Sequence, residues 1–131
     1  MKNNIRLLVV VLAAITINIM TGCYKDKTVL FDTGAEITRP VSFAKDIIPI
    51  FNSSCNISGC HTAGAKAPDL SAANAYNSLS VGNFYNTTAA ENSLIYQWMT
   101  GKKSTPMPVG GINKDYNALI LAWIKQGAQN N

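Results

Sequence analysis

The chain has 131 residues, 47% of them hydrophobic and 14% charged, and its formal net charge is +4. Loss of residues 1–22 would remove Lys2 and Arg6 from the 11 basic residues, leaving nine against seven acidic ones. This near balance of charge, without a basic run interleaved with aromatic residues, argues against a nucleic-acid partner. Residues 23–131 are enough for one hydrophobic core.

Residues 1–22 have the pattern of an export signal. Lys2 and Arg6 form a positive n-region, and an apolar h-region follows from Leu7 to Met20. This stretch is shorter than the roughly 20 apolar residues of a membrane-spanning helix. Met20-Thr21-Gly22-Cys23 resembles a bacterial lipobox, so we expect cleavage before Cys23, lipid modification of that residue and anchoring in the cell envelope. An ordinary signal peptide or a short uncleaved anchor is the alternative.

Residues 23–40 are predicted to be a lipid-anchored linker. They mix charged residues, Thr and Gly without helical periodicity, and Pro40 closes the segment. As a flexible coil, the part after Cys23 would have an end-to-end distance of about 20–25 Å. A short edge strand from Thr28 to Phe31 is the alternative for part of it. The folded domain is expected to occupy residues 41–131.

The first helix is predicted to begin after Ser42, a favourable N-cap residue. Apolar residues then recur at helical spacing at Phe43, Ile47, Ile50 and Phe51. Pro49 lies inside this pattern and is expected to kink or shorten the last turn, because proline lacks the N–H donor.

Three further helices are predicted. Ser71 is expected to cap a short helix at residues 72–79, and residues 93–100 carry an apolar stripe with Glu91 or Asn92 at its start. Asn113 is expected to cap the last helix, Lys114 to Gln126, which stops before Gly127. No period-two run is long enough for a sheet, so the sequence predicts an all-α domain of four short helices.

The cysteine pattern is the strongest chemical signal. Cys55 and Cys60 are separated by four residues, and His61, the only histidine of the chain, follows directly. Covalent haem attachment uses two thiols that add to the porphyrin vinyl groups, and a histidine beside the second thiol that binds the iron. Because the usual motif is C-x-x-C-H, the longer loop must bulge, which Gly59 allows. With Cys23 assigned to lipid, an even pair of cysteines remains for this chemistry.

Met107 is the leading candidate for the second axial ligand. The chain has no second histidine, and Pro106 and Pro108 stiffen the backbone on either side of this methionine. A thioether is a soft ligand that favours reduced iron. Met99 is the rival, but it follows Trp98 in a helical apolar stripe, where methionine is more often part of the core.

Three other interpretations stay open. In the first, the two cysteines form a disulfide in a lipid-anchored binding module that holds no haem. In the second, both cysteines and His61 bind zinc together with Asp46 or Asp69. In the third, Met107 does not bind the iron, which leaves an open site for an enzyme or a gas sensor. No combination of nucleophile, base and orienting group indicates a hydrolase.

Several motifs, in their order along the chain, resemble the monohaem cytochrome c domains of bacterial envelope lipoproteins. They are Ser42-Phe43-Ala44-Lys45-Asp46-Ile47-Ile48-Pro49-Ile50-Phe51, the Cys55…Cys60-His61 motif, Ala67-Pro68-Asp69-Leu70, Glu91-Asn92-Ser93-Leu94-Ile95-Tyr96, Met107-Pro108-Val109-Gly110-Gly111 and Trp123-Ile124-Lys125-Gln126-Gly127-Ala128. The resemblance covers about residues 41–129. The four-residue spacer and Val109, at a position where the family often has a second proline, depart from the family pattern.

The resemblance implies a small class I c-type cytochrome fold of about four helices around one covalent haem c. Cys55 and Cys60 would be the thioether anchors, and His61 and Met107 the axial ligands. Such a protein is an electron carrier rather than an enzyme. Its partners would be redox proteins and, through the lipid at Cys23, a membrane, with no small-molecule substrate.

Overall fold

The computed structural model describes residues 33–131. The expected signal peptide, the lipidation candidate Cys23 and the alternative strand at residues 28–31 lie outside the described residues. Four α-helices follow in chain order: α1 (Ile48–Ser54), α2 (Ala75–Val81), α3 (Leu94–Met99) and α4 (Lys114–Lys125). Residues 33–131 contain no β-strand, so the prediction of an all-α domain with four short helices is confirmed. None of the helices in this range has the length and hydropathy that a membrane span requires.

A π-helical turn, Phe43–Ile47, leads directly into α1. The Ser42 hydroxyl accepts a hydrogen bond from the Lys45 N–H, as expected of an N-cap. The expectation that Pro49 would disturb the last turn is wrong, because α1 continues to Ser54. Pro49 instead lies in the first turn of α1, where an N–H group has no partner within the α-helix and its loss costs little.

The boundaries of α2 and α3 differ from the predicted ones. α2 begins at Ala75 because Ser71 contributes its backbone carbonyl, which accepts hydrogen bonds from the N–H groups of Asn74 and Ala75. The Asp69 carboxylate fixes this turn by accepting from the Ser71 N–H and the Asn74 amide. α3 begins at Leu94, after a 3₁₀ turn at Ala90–Asn92.

The last helix matches its prediction closely. The Asn113 side chain accepts hydrogen bonds from the N–H groups of Asp115 and Tyr116 and so caps α4. The buried face of α4 includes Ile120, Trp123 and Ile124, all fully shielded from solvent. The helix ends at Lys125, one residue earlier than predicted.

Replacing Asn113 with alanine is expected to lower the free energy of unfolding by about 1 kcal/mol, because two N–H groups at the start of α4 lose their acceptor. Asn130→Ala, a change at an exposed residue after the helix, is the control and should leave stability unchanged. Chemical denaturation of both variants measures the difference. Equal stability of the two variants would contradict a capping role.

The core forms where α4 meets the π-helical turn and α1. Phe43 lies at its centre, with its ring centroid 5.1 Å from Trp123, 5.4 Å from Tyr76 and 6.2 Å from Phe51. Trp123, Phe51 and the other large apolar residues of this core are almost fully buried. Aromatic pairs at these separations add to the stabilisation from buried apolar area.

Residues 33–41 run alongside α4. The Gly34 N–H donates to the Lys114 carbonyl at 2.7 Å, at the first residue of the helix. Just past its last residue, the Gln126 side chain accepts from the Val41 N–H at 2.8 Å and donates to the Arg39 carbonyl at 2.9 Å. Ile37, between these points, packs against the core. Contacts with the domain therefore begin inside the segment that the sequence predicts to be a linker.

An ion pair joins this segment to the first turn of the domain. The Arg39 guanidinium donates to both carboxylate oxygens of Asp46, at 2.7 and 3.0 Å, and the Ser42 N–H donates to the same carboxylate at 2.8 Å. The hydrogen bonds from Arg39, and next the one from Ser42, hold the pKa of Asp46 below its ordinary value.

Asp46→Asn is expected to lower the melting temperature at pH 7, and the difference from the wild type should shrink as the pH falls below about 4. A carboxylate with a lowered pKa stabilises the folded state above its unfolded-state pKa, and this contribution is lost as the pH falls through the folded-state value. Thermal unfolding of both proteins at pH 7 and at pH 2.5 measures the effect. A difference independent of pH would contradict this role of the ion pair.

Candidate functional site

A cavity of about 700 Å³ with mainly apolar walls opens beside α1 and α3. Its volume lies within the roughly 300–1,000 Å³ that is typical of small-molecule and cofactor sites. Cys55, Cys60, His61 and Met107 all line it. The cavity therefore brings together the four candidate haem-binding residues, although Met107 lies on a different loop from the other three.

The loop after α1 positions both cysteines and the histidine. Its turns are closed by backbone hydrogen bonds from Cys60 to Ile57 at 2.9 Å and from His61 to the Cys55 carbonyl at 3.1 Å. Gly59 has a φ of 78°, and a β-carbon there would meet nothing within 4 Å. Glycine is therefore favoured at this position for its backbone conformation, as expected for the longer loop between the cysteines.

Both cysteines are free thiols in this structure. Burial, and secondly the neighbouring Cys60, raise the pKa of Cys55 to about 11. The raised value reflects an apolar environment that disfavours the charged form of this thiol.

The carboxylates considered as additional zinc ligands do not line the cavity. Asp46 is paired with Arg39, and Asp69 accepts hydrogen bonds from Ser71 and Asn74. Residues 33–131 contain no group of three or more His, Cys, Asp or Glu side chains arranged to hold a metal ion. These contacts give the zinc interpretation no support.

The imidazole of His61 is oriented by backbone carbonyls. Its Nδ1 atom lies 3.0 Å from the Pro68 oxygen and 3.3 Å from the Lys66 oxygen. Because a carbonyl oxygen only accepts, these contacts favour the tautomer in which Nδ1 donates and Nε2 carries the lone pair. A hydrogen bond of this kind fixes the ring and makes the other nitrogen a better metal ligand.

Met107 lies on the loop between α3 and α4. Its N–H donates to the carbonyl of Trp98 at 3.0 Å, which ties the methionine to the C-terminal end of α3. Immediately after it, the Gly111 N–H closes a turn on the Pro108 carbonyl at 2.9 Å. The side chain of Met107 is half-buried. A backbone contact thus holds this thioether at the wall of the cavity.

Met99, the rival ligand, also lines the cavity. It is only 4% exposed and belongs to the main hydrophobic core. Core packing of this kind is the usual role of methionine in a helical apolar stripe. Met107 is therefore the methionine whose thioether is better placed to contact a group bound in the cavity.

Most of the apolar wall was not identified from the sequence. Phe51, Leu70, Phe84 and Ile95 line the cavity. Phe84 is held there because its carbonyl accepts a hydrogen bond from the Ile95 N–H at 2.9 Å. The adjacent aromatic pair Phe84 and Tyr85, within a stretch of mostly small and polar residues at 80–90, was the signal available in the sequence.

Four aromatic residues of α2, α3 and α4 divide into two groups. Trp98 lines the cavity, whereas Tyr76, Tyr96 and Trp123 do not. Tyr96 and Trp123 are fully buried in the core, and Tyr76 packs against it. The role of these three residues is therefore to support the cavity from behind.

The chemistry of this donor set fits a covalently bound haem. Two thiols and an oriented imidazole lie on one loop, a thioether lies on another, and aromatic and aliphatic side chains form the walls. Comparisons with protein-family models, curated proteins and solved structures returned no match to this chain. The functional argument therefore depends on the geometry of the cavity.

Proposed function

We propose that the protein is an electron carrier that holds one haem c through thioether bonds to Cys55 and Cys60. In this proposal His61 and Met107 would supply the protein ligands to the iron. The observation that supports it most strongly is that all four residues, from two separate loops, line one apolar cavity of about 700 Å³. When bound, the haem supplies a one-electron redox couple.

The protein residues have distinct roles in this function. His61 would offer Nε2 to the iron, because the Pro68 carbonyl accepts a hydrogen bond from its Nδ1–H. Met107 presents a soft sulfur atom, which favours the reduced iron and raises the reduction potential. With both ligands supplied by the chain, the iron would have no position left for a substrate or gas. This distinguishes the proposal from an open-site enzyme or sensor.

The rim of the cavity allows electrons to reach a partner. Ile57 and Val109 both line the cavity, and they are 47% and 73% exposed. The apolar wall thus extends to the protein surface, while Phe51 and Leu70 lie buried in its interior. A redox partner protein can approach a haem bound in the cavity closely at an exposed rim of this type. This contact needs no substrate-binding site.

The proposal also includes attachment to a membrane. The sequence pattern that ends at Cys23 supports removal of residues 1–22 and lipid modification of this cysteine in the bacterial cell envelope. The protein would then be anchored on the membrane surface, and its domain would exchange electrons with other envelope proteins.

The test is expression of the full chain in bacteria with haem-attachment machinery. We expect a Soret band, a reduced-minus-oxidised difference spectrum, and colour that stays with the polypeptide after acid and organic extraction. The intact mass measures haem and lipid at the same time. Cys55→Ala/Cys60→Ala is the matched control and should be colourless.

A colourless wild-type protein would contradict the proposal. If its mass is also two hydrogens below that of the dithiol form, Cys55 and Cys60 form a disulfide. That result favours the alternative, a lipid-anchored binding module without haem.

A further inference from the structure

The loop between α3 and α4 exposes apolar and basic side chains together. Val109 is 73% exposed and Ile112 is 48% exposed, although both are aliphatic. Lys102, Lys103 and Lys114 are also exposed, and no acidic residue occurs between Gly101 and Lys114, although, after the hydrogen bond from Lys125, the nearby charge of Lys102 helps to lower the pKa of Glu91. We name these five residues, Lys102, Lys103, Val109, Ile112 and Lys114, the loop face.

Local contacts keep parts of the loop face together. Ile112 Cδ1 and Pro106 Cβ both lie 3.6 Å from the β-carbon position of Gly101, directly before the two lysines. The turn closed by Pro108 and Gly111 presents Val109 at the surface. Lys102 keeps its Nζ 5.6 Å from the centre of the Tyr96 ring, which anchors its stem to the domain.

The chain enters the described domain beside this face. The Gly34 N–H donates to the carbonyl of Lys114, and Asp115 Oδ1 lies 2.6 Å from the position that a β-carbon would take at Gly34. This aspartate is therefore directed towards the entering chain. Residues 24–33 separate Cys23 from Gly34 and span at most about 40 Å when fully extended. A lipid at Cys23 would thus keep the end of α4 that carries Lys114 within about 40 Å of the membrane.

We infer that the loop face binds a membrane surface that carries anionic lipid headgroups. The three lysines attract the negative surface, and Val109 and Ile112 enter the headgroup region. The inference rests on the proposed lipid attachment, because the position of the chain entry favours a bilayer over an acidic protein as the occupant. Because a lipid anchor would keep the domain near the bilayer, the effective concentration of membrane surface is high and weak contacts are sufficient for binding.

Membrane contact at this face gives the domain a defined orientation. Val109 belongs both to the loop face and to the cavity lining. Binding therefore places the rim of the cavity beside the membrane, within reach of redox proteins that lie in or on it.

The test uses the full mature chain with Cys23→Ser, so that no lipid contributes to binding. Sedimentation with vesicles of phosphatidylcholine containing about 30% phosphatidylglycerol should show binding at low salt, and pure phosphatidylcholine should bind much less. Lys103→Gln is expected to lower the partition coefficient about fivefold. Lys45→Gln, a matched change in the π-helical turn, should leave it unchanged. Val109→Ser/Ile112→Ser should also weaken binding.

Equal binding to both vesicle types, no binding to either, or equal effects of the two lysine variants would overturn the inference. If the loop variants instead slow electron transfer to a soluble acidic protein without changing vesicle binding, the face belongs to a protein partner and the inference is also wrong. The Soret band of the same sample reports on haem separately. A colourless protein that binds anionic vesicles would refute the haem proposal alone, and the mass of the unmutated chain expressed in bacteria tests lipid attachment.

Discussion

Replacing Met107 with alanine is expected to lower the reduction potential by on the order of 100–200 mV and to abolish the sulfur-to-iron charge-transfer band. The thioether stabilises reduced iron more than oxidised iron, so its loss favours the oxidised form. A potentiometric titration measures the potential, and the absorption spectrum of the oxidised protein reports the band. The effect should be larger than that of any other single change in the cavity wall that leaves His61 in place.

Met99→Leu is the matched control for this experiment. Met99 lines the same cavity, but it is 4% exposed and packs in the core. Leucine has a similar volume and no sulfur, so this variant should keep both the band and the potential, with a loss of stability below about 1.5 kcal/mol. If Met99→Leu removes the band and Met107→Ala retains it, the axial ligand is Met99.

A haem-free domain, made as Cys55→Ser/Cys60→Ser, is expected to lose cooperative unfolding and most of its near-ultraviolet circular dichroism. The wall of the cavity includes Phe51, Leu70 and Ile95. Each large apolar side chain that loses its packing partner forfeits part of the roughly 1.5–3 kcal/mol gained by full burial. Because a domain of this size is typically stable by only about 5–15 kcal/mol, several such losses are sufficient to unfold it.

Cys55→Ser alone is the graded control, since it keeps the thiol of Cys60 and the imidazole of His61. It should fall between the wild type and the double variant in thermal stability. Cooperative thermal unfolding of the haem-free double variant near the wild-type melting temperature would show that the core supports the fold without the cofactor.

The sequence predicts an element well where local and tertiary requirements agree. Asn113 precedes a regular apolar stripe, so both the cap and the buried face of α4 follow from it. The start of α2 could not be predicted, because two side chains capable of capping lie close together. Asp69 accepts from the Ser71 N–H, which leaves the Ser71 carbonyl rather than its hydroxyl to begin the helical turn. Only the folded loop decides between these arrangements.

The sequence also identifies one part of the candidate site and misses the rest. Cys55, Cys60, His61 and Met107 can be identified by residue type, because few other residues offer their chemistry. Their common position on one cavity wall depends on how two distant loops fold. The remaining wall residues are ordinary apolar side chains, which sequence alone cannot distinguish from the rest of the core. The contact of residues 33–41 with α4 was equally hidden, because it depends mainly on backbone groups and the Gln126 amide.

The hydrogen bond from the Met107 N–H to the Trp98 carbonyl makes the position of the methionine largely independent of the loop residues that precede it. It fixes the methionine to α3, so the exposed residues 102–105 between the two contacts contribute little to the position of the sulfur atom. Doubling the length of a flexible loop costs only about 0.6 kcal/mol in closure entropy. The part of this bulge after Lys103 is therefore a suitable insertion point for a spectroscopic label, and its length is free to diverge during evolution while the donor atom stays in place.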